Sequence, residues 1–506
     1  MNLIDFAKTE LLEPGKSQVL SFSFNIEDFA SYDSEKVKTE NGGYYLEAGN
    51  YTISARSDSH TVLDQKTFTV KQDIDYSSKG RSHDQISASN RFEDYSRGDF
   101  ELLSRKDGFA NYDSACGTVL TAEDLLASEA QLQAILENSA AGYKGNTEKD
   151  PADVMPNLGK DNGLTLADMA GLDYEDEKWE LLLDQMSTDD MVRLVNVGGW
   201  QTVEVKSVGK RATSDCDGPA GLNNFITGAY GTTFPAEVLM GQTWSKEVAV
   251  EIGTSMGSEF AAAENFGWYG PAMNIHRSAF AGRNFEYYSE DPVLSGYMAI
   301  SEVQGAAQFG VYSYIKHFVL NDQETNRCGF LLTYASEQAI REINLKPFEM
   351  VVKGFKGNSM AVMSAFNWIG TVPCCANGNL LNGVLRGEWG FRGLVETDYD
   401  GSYGYMITDH CIRNGNDLML GYRGHETNKV DVSNPTVVKA LRQSSKNILY
   451  TICNSGYYTN GTQIETNDKM GRLFITADVS LGVLFALIEL ALILYFVRKN
   501  KKTKQI

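Results

Sequence analysis

The chain is short of the residues that build metal and redox centres. Its 7 cysteines among 506 residues (Cys116, Cys216, Cys328, Cys374, Cys375, Cys411 and Cys453) are scattered, odd in number and never at CxxC spacing, which excludes a zinc ribbon and a disulfide framework. They read mostly as small buried residues. The 6 histidines are dispersed and no glycine loop of the phosphate-cradling kind occurs, so neither a metal nor an organic cofactor is implied. Positive charge is also scarce: 45 Lys and Arg against 66 Asp and Glu give a net charge of -21, with no basic stripe outside the extreme C-terminus. Such a surface repels phosphate backbones, which excludes nucleic acid as a partner and favours a neutral or polar small substrate. The N-terminal stretch MNLIDFAKTELLEPGKS has Asp5, Lys8, Glu10 and Glu13 where an export signal needs an apolar run.

What is present divides the chain by texture. With 42% hydrophobic residues the sequence is globular and long enough for two or three domains. Residues 1–72 carry short alternating runs (QVLSFSFNI, YTISARS) between LEPG and EAGN turns, which predicts antiparallel strands of a small β-sandwich. Residues 73–175 are polar and read as a connector with one helix near 122–136. Residues 176–455 alternate β-type apolar runs (VYSYIKHF, SMAVMSAFN, GLVETDY, GNDLMLG) with amphipathic helices at 245–264 and 336–354. At that length a (β/α)8-type TIM barrel is the expected architecture. Near the end, 479–497 is almost wholly apolar apart from Glu489 and is followed by RKNKKTK. This predicts one transmembrane helix with a basic cytoplasmic tail at 498–506, placing the barrel on the extracytoplasmic side of a cell membrane. That topology conflicts with the missing export signal.

Chemistry in such barrels collects where strands run out. Asp217 in SDCDGPAG, Arg283 in GRNFE, Lys316 and His317 in YIKHF, and Asp398 in GLVETDYDG each follow a β-type run, so they converge on one mouth. A carboxylate facing cations and further hydrogen-bonding groups suits a sugar and its cleavage, although acidic strand ends are also common helix caps.

The stretches DGPAG, AGRNFEYYSEDP, IKHFVLNDQETNR, VMSAFN and GFRGLVETDYDG, in this order across about 180–420, resemble the barrel domain of glycoside hydrolase family 3, which contains many β-glucosidases and β-xylosidases. The resemblance implies that Asp398 is the nucleophile of a retaining mechanism and that Asp217, Arg283, Lys316 and His317 grip the sugar, with Met363 and Tyr399 lining the pocket. Two positions depart from many members: Phe366 stands where Tyr is frequent, and Tyr399 where Trp is frequent. The KHFVLNDQETNR continuation resembles the glucosidase-like branch, which takes its acid/base from a separate α/β sandwich domain.

No such domain fits after the barrel, and LLEPGKSQVLSFSFNIEDFASYD resembles only the later strands of a fibronectin III-like domain. The expected order is therefore permuted (sandwich, fibronectin-like, barrel, membrane anchor) and truncated at the N-terminus, with the sandwich domain supplied by a separate chain if the gene is split. Glu286, Glu290 and Glu324 are candidate replacement acids, but they read as charge partners for nearby arginines. The expected activity is hydrolysis of β-linked glucosides or xylosides at the non-reducing end; the alternative is a membrane-anchored carbohydrate-binding protein without turnover.

Overall fold

Parallel strands need crossovers of a dozen or more residues, and the chain from 213 onward supplies them as helices. In a computed structural model that describes residues 2–459 except 93–100, 118–120, 123–125 and 423–425, together with positions 480, 485, 487, 489 and 490, these strands form a ring. Thr213–Cys216, Gly267–Trp268, Tyr312–Phe318, Ala361–Ser364 and Leu394–Thr397 lie side by side, all parallel. Beyond the last of them, Glu396 bridges Leu418 in parallel fashion. Met419 N then donates to Val195 O and Gly198 N to Met419 O, while Asp215 N donates to Trp200 O, so the segment 195–202 closes the ring. Closure removes the exposed sheet edges that an open sheet would present. The result is TIM-barrel-like, departing from strict repetition where Gln201–Thr202 runs antiparallel to Thr213–Ser214.

The outer layer includes the helices Lys246–Ala262, Pro292–Ala307, Lys346–Gly354 and Pro435–Cys453. The first two pack backbone to backbone: a Cβ added to Gly253 would sit 2.1 Å from Glu302 O, and one on Gly305 would sit 2.5 Å from Val250 O. Glycine is required there by contact, not by dihedral freedom. Trp179, Trp268 and Trp368 are fully buried, each contributing roughly 1.5–3 kcal/mol or more by its removal from water. Five of the cysteines (Cys216, Cys374, Cys375, Cys411 and Cys453) are buried and Cys116 is exposed.

Residues 31–75 form an antiparallel three-stranded sheet of Ser31–Tyr32, Tyr44–Leu46 and Ile74–Asp75, beside a hairpin of Gly49–Arg56 with Val62–Val70. In the hairpin Tyr51 faces Phe68 with ring centroids 5.6 Å apart, and Phe29 packs on both. YTISARS is thus a strand, whereas QVLSFSFN is irregular and leads into a 3-10 turn at Ile26–Phe29, with Val19 89% exposed. The helix expected near 122–136 is Glu129–Glu137, started by Ser128, whose hydroxyl accepts from Gln131 N.

The expected transmembrane helix needs correction. No helix among the described residues is long and apolar enough to cross a membrane. Pro435–Cys453 is long enough, but Lys439, Arg442 and Lys446 ride on it and its apolar side, with Val437, Leu441 and Ile448, belongs to the barrel core. The segments 479–497 and 498–506 fall almost entirely outside the described residues, in a second unit (462–506) distinct from the one holding the barrel. A fold class ending in a membrane span, and single-pass placement in a membrane, are therefore not supported.

Candidate active site

Side chains alternate along a strand, so residues two apart share a face. Asp215 and Asp217, Tyr314 and Lys316, Ala361 and Met363, and Glu396 and Asp398 are such pairs; in each the second member lies nearer the C-terminal end of the strand, or just past it, and the first one layer beneath. The upper layer carries the residues expected from the sequence.

Lys316 Nζ stands 3.3 Å from Asp217 Oδ1 and 3.3 Å from Glu286 Oε1. Arg283 Nε donates to Glu286 Oε2 at 2.6 Å and lies 3.8 Å from Glu324 Oε1. His317 Nε2 is 3.6 Å from Asp398 Oδ2, a buried oxygen without a hydrogen-bond partner. The other Asp398 oxygen accepts from Tyr399 N at 2.7 Å. The structure therefore brings Asp217, Arg283, Lys316, His317 and Asp398 together. Met363 lies on the adjacent strand, opposite Glu396 and only 3% exposed. Tyr399 is 37% exposed and faces Trp200, ring centroids 5.9 Å apart. Phe366 sits beneath the Arg327 guanidinium, 4.5 Å from carbon to ring centre.

Electrostatics separates the roles of the acids. Burial pushes the Asp398 carboxyl above its ordinary value, against the pull of Arg283, Arg327 and Lys316. Burial acts the same way on Glu286, but Lys316 and Arg283 outweigh it and the net displacement is downward. Asp217 is likewise lowered on balance, chiefly through Lys316 and the Gly218 N–H. His317 is driven well below its usual range by burial and then by Arg283 and Lys316, so its ring is neutral. One layer down, Asp215 accepts from the Tyr312 and Tyr314 hydroxyls, the latter at 2.8 Å, and burial raises its carboxyl to about 6. Burial also holds Glu396 well above the carboxylate range.

The three candidate replacement acids differ in surroundings. Glu286 is clamped by Arg283 and Lys316, and Glu324 by Arg327 at 3.1 Å, while Glu290 lies on the exposed surface. Sequence reasoning missed Trp200, Tyr287, Asn321 and Arg327, none of which ends a strand; only their place inside or beside the quoted motifs marks three of them. Among the described residues no group of three or more His, Cys, Asp or Glu is placed to hold a metal ion. A cavity of about 1310 Å³ in the outer layer, bounded by Tyr143, Arg386, His410, Asp417 and Asn447, includes none of the strand-end residues.

Residues 185–415 match the glycosyl hydrolase family 3 N-terminal domain, and residues 1–59, ahead of it, match a fibronectin type III-like domain. The chain is 31% identical over 421 residues to β-glucosidase A of Butyrivibrio fibrisolvens, covering 82% of this chain and 49% of that protein. It is 31% identical over 413 residues to a β-glucosidase of Ruminococcus albus, covering 78% and 39%. It thus spans half or less of the length of these curated relatives. A β-glucosidase structure from Paenibacillus barengoltzii superposes with a TM-score of 0.66 over 90% of this chain and 50% of that one at 24% identity, a likeness of fold. Between residues 185 and 415 this chain is thus similar to the N-terminal domain of glycosyl hydrolase family 3.

Proposed function

We propose that the barrel cleaves β-linked glucosides or xylosides from the non-reducing end with retention, Asp398 acting as nucleophile. The observation that carries this reading is the placement of Asp398 at the end of its strand, buried, beside neutral His317 and under the field of Arg283 and Lys316. Asp217, Arg283, Lys316 and His317 supply donors and acceptors for sugar hydroxyls, and Met363 and Tyr399 apolar surface. An Asp398 oxygen attacks the anomeric carbon as the bond to the leaving oxygen breaks; that oxygen takes a proton from a general acid, and water later hydrolyses the glycosyl-enzyme. Because Glu286 and Glu324 are engaged by cations, the proton donor in this reading lies outside the barrel. The β-glucosidase names of the relatives support the substrate class.

The test is to incubate the protein with a 2-deoxy-2-fluoro glucoside bearing an activated aryl leaving group and to map the modified peptide by mass spectrometry. Modification of Asp398 supports the assignment; modification of another carboxylate, or saturable sugar binding with no modification at all, removes it.

A further inference from the structure

A neutral histidine carries its proton on one ring nitrogen only, and the choice is made by what the other nitrogen faces. Around His317 that choice can be followed atom by atom. Glu324, paired with Arg327 Nε at 3.1 Å, offers only acceptor oxygens. The Asn321 side-chain atom 3.1 Å from Glu324 Oε1 must therefore be its amide nitrogen, although Oδ1 is then buried without a partner, since the opposite orientation would set an oxygen against the carboxylate. The same Nδ2 donates to Tyr287 OH at 2.9 Å and lies 3.5 Å from His317 Nδ1, and Tyr287 OH also lies 3.5 Å from that nitrogen. Nδ1 thus faces a nitrogen that accepts nothing and a hydroxyl whose acceptor side is already occupied by Asn321. The two amide hydrogens go to Glu324 and Tyr287, so the Tyr287 oxygen accepts from Asn321 and its own hydrogen is free to turn toward Nδ1.

We infer that Asn321 and Tyr287 are positioning residues that lock His317 in its Nε2–H tautomer, so that the ring turns an N–H, not a lone pair, toward Asp398. The backbone is fixed to match: Asn274 Nδ2 donates to His317 O and His317 N donates to Asn274 Oδ1, both at 2.8 Å. With Nε2 3.6 Å from Asp398 Oδ2, that N–H is turned toward the carboxylate and is available to a sugar hydroxyl. The tautomer follows from the local geometry alone; only its effect on labelling rests on the proposed glycosidase reading.

The experiment is side-chain ¹⁵N NMR of the full chain labelled with [¹⁵N]histidine, His317 being assigned from the signal missing in H317N. The expected wild-type spectrum has the one-bond proton on Nε2. Asn321→Asp places an acceptor opposite Nδ1 and should transfer the proton to it, with labelling by the 2-fluoro glucoside slowed about tenfold or more, as for loss of one charge-assisted hydrogen bond. Tyr287→Phe, a milder change if the Asp variant folds poorly, should leave a mixture of tautomers. A wild-type proton on Nδ1, or Nε2–H undisturbed in both variants, overturns the inference. Tautomers as expected with no labelling in any variant would support the positioning while sinking the glycosidase reading.

Discussion

Asp215 and Asp217 stand two residues apart and face the same barrel interior, yet their carboxyls are displaced in opposite directions. Asp217, its side chain 48% exposed at the mouth, is held below the usual range by Lys316, whereas Asp215, fully buried between Tyr312 and Tyr314, is raised to about 6. One layer of depth separates a residue that can meet a charged or polar ligand from one that takes up a proton near neutrality.

That difference has a measurable pH dependence. The Asp215 carboxyl ionises near 3.8 when unfolded and near 6 when folded, so between those values the native state holds more protons than the unfolded one and stability falls as pH rises. The two-unit gap corresponds to about 3 kcal/mol. Asp215→Asn should flatten this part of the profile relative to wild type in urea titrations at a series of pH values from 4 to 7; parallel curves would show that Asp215 does not titrate there.

Lys316 links Asp217 and Glu286 from a nearly inaccessible position, its side chain only 4% exposed. Lys316→Ala should weaken monosaccharide binding by at least about tenfold in calorimetry, since a hydrogen bond from a charged donor contributes ~1.5–3 kcal/mol. Unchanged affinity in a folded variant would remove Lys316 from the sugar site.

Asp398→Ala should lower turnover of an activated aryl glycoside by several orders of magnitude, because Asp217, Glu286 and Glu324 beside it are each engaged by a cation. Steady-state rates near wild type would place the nucleophile elsewhere.

An acid outside the barrel predicts a dependence on the leaving group. General-acid help contributes ~10²- to 10⁴-fold when the departing group is a poor one and little when it is an acidic phenol. This chain by itself should react with the phenol glycoside and leave a disaccharide almost untouched; ordinary turnover of cellobiose or xylobiose would return Glu286, Glu290 and Glu324 to consideration.

A second buried charge cluster, centred on Arg341, contributes to stability. Arg341, 2% exposed, donates to Glu337 at 3.0 Å and to Glu388 at 2.6 Å, while the Glu337 carboxylate also accepts from the Arg91 and Phe92 backbone N–H groups of the connector. Arg341→Ala leaves two buried carboxylates without their common cation and should cost about 3–5 kcal/mol, read from chemical denaturation.

Alternation of apolar runs and amphipathic helices was enough to announce a barrel, because a parallel sheet buries both faces and writes that burial into local sequence. The polar residues Asp217, Lys316, His317 and Asp398 were legible because each lies in or just after a β-type run, toward its C-terminal end. Residues that reach the site from loops left no such mark. Nothing local in EYYSEDP or NDQETNR reveals that Tyr287 and Asn321 meet at His317 Nδ1, although the arginines beside Glu286 and Glu324 did mark those acids as charge partners. The tertiary structure also decided the opposite displacements of Asp215 and Asp217, since the same residue type titrates high or low according to depth and neighbours. Composition fixed what kinds of chemistry the chain can carry; depth, pairing and the direction of each hydrogen bond were set only when distant segments closed the ring.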